Sequence, residues 1–186
     1  TYADIGEKHY QIVEKKGGQG GYTYDDHTVN VTVTVEDAGN GAIETTASYM
    51  GSTTFTNSYA ANGSITFAGT KTLSGRELAA GEFTFDVEET ENDTGVEKKS
   101  WTTTTNGKAD AHTGAIGYPT IEYDQNDVGT HTYVVTETAG SNEGMEYSEK
   151  SYTVKVVVAD NNDGTLTASL ANNSDGELAT VDGKTT

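Results

Sequence analysis

The chain has 186 residues, a formal net charge of −18, 33% hydrophobic residues and no cysteine. With 11 Lys+Arg against 29 Asp+Glu, it lacks the clustered cations that bind nucleic acid by displacing phosphate counterions, and without thiols it forms no disulfide or thiolate metal site. No apolar run approaches the ~20 residues that cross a bilayer, whereas 22 glycines with abundant threonine, valine and tyrosine favour strands and turns, so composition predicts an all-β protein with a thin core.

Taken in chain order, residues 4–18 open with a strand-like phrase and contain no signal peptide, as in a processed or excised piece. Val29, Val31, Val33 and Val35 alternate at period two, the pattern of a half-buried strand. Asp37-Ala-Gly-Asn-Gly41 reads as a hairpin turn, because Asn and Gly tolerate positive backbone angles. "TTFTNSY" at 53–59 reads as a short strand with Asn57 looking outward among β-branched and aromatic neighbours. A linker is expected around residues 60–63. Strands at 64–67 and 82–88 flank a polar bridge with helical character at 76–80, and 97–124 supply two more strands around a turn at Asn106-Gly107. Val154, Val156 and Val158 then restore the alternation before a second hairpin turn at 160–164.

The chain repeats itself. A gapless shift of 123 residues lays 4–46 on 127–169 with twelve identities in 43 positions, among them Gly6/Gly129, Tyr10/Tyr133, Glu14/Glu137, Tyr24/Tyr147 and Gly41/Gly164. The segment 63–90 has no upstream partner. This predicts residues 1–60 as the C-terminal half of one β-sandwich unit and 64–186 as a second unit lacking its last strand. Residues 1–60 and 64–123 could also combine as a circular permutant or across neighbouring molecules. Alternatively, 64–186 forms an open-edged sandwich that accepts a neighbour's strand by β-augmentation.

"GTKTLSGRELAAGEFTF", "DVGTHTYVVTET", "YTVKVVVADNNDGTLTA" and "TTFTNSY" together resemble the streptococcal pilin isopeptide linkage (FctA-type) domain, related to the CnaB-type domains of Gram-positive surface proteins. The resemblance implies tandem immunoglobulin-like sandwiches in which a first-strand lysine attacks a last-strand asparagine and expels ammonia. Carried onto this chain, it makes Lys71 the nucleophile, Glu137 the catalytic carboxyl of the second unit, Glu14 that of the first, and Asn57 the first unit's acceptor. The second asparagine is expected after Thr186 and the first lysine before Thr1. The chemistry is physically sensible: burial among apolar strands favours a neutral, nucleophilic amine and a protonated carboxyl that can pass protons to leaving ammonia.

Blander roles stand beside each of these. Lysine is usually a surface residue, Glu14 and Glu137 could be outward residues of alternating strands, and asparagine is common near turns. "DNNDGT" at 160–165 has the start of a calcium loop but not its distal glutamate, so a hairpin is expected. His9, His27, His112 and His131 have no metal-ligand spacing and read as surface residues. "GGQGG" at 17–21 reads as a flexible turn, and Trp101 with the tyrosines as core.

The resulting expectation is a structural module of a Gram-positive pilus or adhesin stalk, outside the cell, in contact with neighbouring repeats or subunits of the same surface protein. It needs no cofactor or metal and is no enzyme beyond a single self-crosslinking turnover. The alternative is an adhesin domain that binds host glycan or protein through its Tyr- and Thr-rich faces.

Overall fold

The computed structural model describes residues 4–108, 112–172, 174, 180–181 and 184–185. The chain divides into two compact units, Thr1–Tyr59 and Ala60–Thr186. The expected linker at 60–63 narrows to this boundary, since Ala61 is already buried and residue 62 begins a strand.

In the first unit, β1 (Gly6–Val13), β3 (Thr28–Gly39) and β4 (Ala42–Met50) form an antiparallel sheet in the order β1-β3-β4. The two-residue strands β2 (Tyr22–Thr23) and β5 (Ser58–Tyr59) pair separately, Tyr22 with Tyr59 and Thr23 with Ser58. The β3–β4 hairpin turns through Asn40 and Gly41 at φ +51° and +82°, the left-handed backbone that matches strand twist and for which Asn-Gly is suited. Val29, Val31 and Val35 of β3 are buried.

In the second unit, β6 (Asn62–Thr66) pairs with β11 (Thr120–Asp124). The larger sheet contains β7 (Thr70–Thr72), β8 (Thr84–Asn92), β9 (Ser100–Lys108), β10 (Thr113–Ile116), β12 (Gly129–Glu137), β13 (Ser151–Asp160) and β14 (Leu166–Leu170). Their order is β14-β13-β12-β8-β9-β10-β7, and β15 (Thr180–Val181) pairs with β16 (Lys184–Thr185). The architecture is all-β, as composition predicted.

The sequence repeat is a structural one, because both copies pair their strands in the same register. Gly6 faces Val35 and Tyr10 faces Val31, as Gly129 faces Val158 and Tyr133 faces Val154. Their surroundings differ. Tyr133 is 0% exposed beneath Phe67 (ring centroids 5.6 Å apart) and Trp101 (6.2 Å), with its hydroxyl 2.9 Å from that of Tyr123. Tyr10 is 56% exposed. These second-unit aromatics accordingly build the core, as expected from their alternation.

Four expectations need correction. Residues 76–80 form no helix: Gly75 and Gly81 take φ +89° and +71° on either side, and Glu82 folds back onto Arg76 and the Ala79 N–H. Asn106-Gly107 lies inside β9 at a register irregularity, so the connection to β10 falls after Lys108. The first glycine of "GGQGG" has a packing role, since a Cβ on Gly17 would lie 2.4 Å from the Tyr24 hydroxyl oxygen, and Gly140 meets Tyr147 the same way.

His131 is the fourth, being 1% exposed rather than superficial. Its Nδ1 lies 2.7 Å from Glu89 Oε1, and its Nε2 donates to the Asp127 carbonyl at 2.7 Å. Glu89 also accepts from Asn92 Nδ2 and Lys99 N at 3.0 Å each. Burial alone would raise the Glu89 carboxyl, but the hydrogen bonds from His131, Lys99 and Asn92 outweigh it and hold the group below its ordinary range. A depressed carboxyl stabilises above its unfolded value and loses that contribution as pH falls. Glu89→Ala strands a buried imidazole, so a loss of about 3–5 kcal/mol is expected in chemical denaturation of the second unit. An unchanged midpoint would show that the network carries no stability.

Candidate functional site

Lys71 sits at the centre of β7, and Glu137 is the last residue of β12. In the sheet order β12-β8-β9-β10-β7 these strands are four places apart, about 19 Å in a flat sheet. Yet Lys71 Nζ donates to Glu137 Oε2 at 2.7 Å and to Oε1 at 2.8 Å. The sheet therefore curls back on itself, bringing its edge strand across the interior to β12. The register irregularity where β10 meets β9 lies along that curve.

The floor of this site is apolar. Phe83, Phe85, Leu73 and Leu78 form a buried cluster, with Ile116, Met145 and Tyr147 packed against it. Lys71 Nζ lies 4.3 Å above the Phe83 ring, and Tyr147 meets that ring edge-on at 5.9 Å. The side chains of Lys71 and Glu137 are only 12% and 3% exposed. Apolar replacement of a buried ion pair commonly costs little stability, so stability alone is a weak reason for a lysine here. Ser148 N donates to Glu137 Oε2 at 3.3 Å, placing a backbone N–H in the same cluster.

The first unit presents a different part of the constellation around the equivalent carboxylate. Asn57 Nδ2 donates to Glu14 Oε1 at 2.6 Å, and Asn57 Oδ1 accepts from Asp25 N at 2.8 Å. Glu14 Oε2 is buried with no hydrogen-bond partner among the described residues. Each carboxylate thus holds one of the two remaining groups singled out in the sequence. Lys71 meets Glu137, Asn57 meets Glu14, and Lys71 and Asn57 belong to different units.

Asp25 was not singled out; His27 was read as a surface residue, and its side chain is 31% exposed. Asp25 Oδ2 accepts from Thr56 N at 2.8 Å, while Oδ1 accepts from His27 N at 3.0 Å and from His27 Nδ1 at 2.5 Å. His27 Nε2 donates to the Ser52 carbonyl at 3.1 Å, and its ring stacks on Phe55 at 4.4 Å. These contacts clip the loop at 25–27 to the segment carrying Asn57. The available signal was the repeat itself, which lays Asp25 on Ser148, two residues that cap turns.

Among the described residues no group of three or more His, Asp or Glu side chains could hold a metal. The "DNNDGT" stretch is a hairpin turn, with Asn162 at φ +60° and Asp163 accepting from Thr165 N at 3.0 Å.

The profile of the FctA family, described as a Spy0128-like isopeptide containing domain, matches residues 1–60 and 67–182. No curated protein and no solved structure matches the chain at a significant level.

The clip has a defined pH window. The Thr56 N–H, then His27, holds the Asp25 carboxyl at about 2, and Asp25, then the Ser52 carbonyl, raises the His27 imidazole above 6.5. The carboxylate contribution is present above its ordinary value of 3.8 and lost as pH falls toward 2; the imidazolium contribution is present below 6.5 and lost as pH rises through the raised value. Protection of the Thr56 amide, measured against its intrinsic exchange rate, is therefore expected to be greatest between these limits, and an NMR titration of His27 should give a midpoint above 6.5. A midpoint at or below 6.5 would contradict the clip.

Proposed function

The chain belongs to the FctA family of Spy0128-like isopeptide-containing domains, and from that premise we propose that its units are structural modules of a cell-surface pilus or adhesin stalk, each closed by a self-formed lysine–asparagine bond. The observation that carries this reading is the complementarity of the two sites. At one repeated carboxylate stands an amine, Lys71 on Glu137, and at the other an amide, Asn57 on Glu14, whose second oxygen has no partner among the described residues. Superposed by the repeat, they supply amine, carboxyl and amide at one place.

In the reaction the neutral lysine Nζ attacks the asparagine Cγ and a C–N bond forms. The glutamate takes a proton from the attacking nitrogen and returns it to the asparagine Nδ2, which leaves as ammonia. Atoms balance with no external reactant, and the protein ends as product after one turnover. Proximity would supply much of the rate once amine and amide share one carboxylate, because each site already holds one of the two on its glutamate.

The open face of the first unit fits the same reading. Tyr10, Ile12 and Tyr49 are exposed, and the equivalent of Tyr10 is covered in the second unit by strands from its lysine-bearing part. A layer of that kind would cover the apolar surface and bring an ammonium to Glu14 Oε2. Such a crosslink resists unfolding by restricting the unfolded chain, as a disulfide does, without depending on redox conditions. It suits a cysteine-free extracellular stalk assembled with neighbouring repeats.

The test is ligation. The chain is incubated with a synthetic peptide of residues 51–60, which carries the Asn57 strand. A covalent adduct about 17 Da lighter than the sum is expected, the mass of expelled ammonia. The bond should map to Lys71, disappear in Lys71→Ala, and slow about 10²–10⁴-fold in Glu137→Ala. Absence of any adduct with the unaltered chain would contradict the proposal.

A further inference from the structure

Three features lie outside the lysine, glutamate and asparagine: the buried His131 network, the exposed face of β1, and the backbone N–H groups aimed into the two carboxylate sites. The His131 network has hydrogen-bond partners from protein on both ring nitrogens and is explained by packing. The β1 face is the open apolar surface of the first unit. The backbone donors are not explained by either.

We infer that the backbone N–H of residue 25, and of residue 148 in the repeat, is the oxyanion donor of the crosslinking reaction, with the Asp25 side chain as the device that aims it. The inference rests on the isopeptide reading and adds to it the group that stabilises the transition state. Attack of an amine on an amide carbon drives negative charge onto the amide oxygen, and a preorganised donor 2.7–3.1 Å from that oxygen stabilises it. Asp25 N lies 2.8 Å from Asn57 Oδ1, while the opposite end of the same amide, Nδ2, lies 2.6 Å from Glu14. The amide is thereby held at both polar ends. Its oxygen faces a donor that cannot titrate, and its leaving nitrogen faces the proton carrier.

The second unit provides the independent observation. At the equivalent position Ser148 N also points into the site, where it reaches Glu137 Oε2 at 3.3 Å. The turn that presents it is the same: Lys150 N donates to Ser148 Oγ at 3.3 Å, as His27 N donates to Asp25 Oδ1 at 3.0 Å. The side chain differs between the copies, but the turn and the inward N–H persist. With an asparagine seated, the donor lies on the amide oxygen; without one, it lies on the carboxylate.

Asp25 has a second hold on the acceptor. Its Oδ2 takes the N–H of Thr56, the residue before Asn57, so one side chain fixes both the donor turn and the strand that carries the amide. Asp25 itself is a positioning residue; its backbone nitrogen is the catalytic group. In the balanced step, the oxyanion at Oδ1 is held by this N–H while the C–Nδ2 bond breaks, and it collapses to the new amide carbonyl as ammonia leaves.

The experiment uses the whole chain and a peptide of residues 66–75, which carries Lys71, as the amine source for Asn57. In one version residue 25 is the α-hydroxy analogue of aspartate, which replaces the N–H by an ester oxygen and keeps every side chain. Loss of one such donor costs about 10²–10³-fold, so ligation to Asn57 should slow about 10²-fold at unchanged half-saturating peptide concentration. Asp25→Ser, which keeps the turn cap found at Ser148, should ligate faster than Asp25→Ala. In the unaltered folded chain, scalar coupling across the hydrogen bond between Asp25 ¹⁵N and Asn57 ¹³Cγ should be measurable, a readout that survives if the ester chain does not fold. Equal ligation rates for amide and ester, or absence of the coupling, overturns the inference while leaving the isopeptide reading intact. If the unaltered chain ligates neither this peptide nor the asparagine peptide at Lys71, the isopeptide reading is what fails.

Discussion

A carboxylate buried at the end of a strand is the constraint from which the rest of this structure follows. Glu137 closes β12 over an apolar cluster, and a charge in such a place needs a partner with hydrogen bonds to give. Lys71 supplies it, but only because the seven-stranded sheet curls until its edge strand crosses the interior. The fold and the ion pair therefore specify each other: the curl brings amine to carboxylate, and the pair rewards that curl over a flatter sheet. In the first unit Glu14 occupies the same repeat position with an amide on one oxygen and no partner among the described residues on the other, so one constraint takes two partial solutions.

The surrounding residues limit what these groups can do. Phe83 beneath the amine and Tyr147 against that ring exclude water from one side of the second site, which strengthens every local electrostatic interaction. Gly140 leaves room for the Tyr147 hydroxyl, as Gly17 does for Tyr24. The Asp25–His27 clip fixes the loop before β3 against the segment bearing Asn57. Rigid strands and capped turns of this kind would preorganise the proposed single-turnover reaction.

Much of this was legible in the sequence because it is periodic. The valine alternation of β3 and β13, the Asn-Gly and Asp-Gly turns and the 123-residue shift all reflect local rules, and Tyr10 and Tyr133 sit at the same register in their strand pairs. Glu14, Asn57, Lys71 and Glu137 were named through the family phrases they occupy. What sequence missed depends on tertiary contact. The Asn106-Gly107 pair has the chemistry of a turn but lies in β9, with Gly107 paired to Ala115 of β10 across a register shift. Arg76–Ala80 has helix-forming residues, yet flanking positive-φ glycines and the Glu82 contacts favour bends. His131 and His27 looked alike in the string; one is buried against Glu89 and the other clipped by Asp25, and neither neighbour was predictable from spacing.

The central claim, that an amine and an amide react at this carboxylate, is tested most directly by following the nitrogen that must leave. With Asn57 labelled at Nδ2 by ¹⁵N and the lysine peptide added to the whole chain, one equivalent of labelled ammonia should be released for each bond formed. Bond formation without labelled ammonia, or labelled ammonia without a bond, would contradict the account.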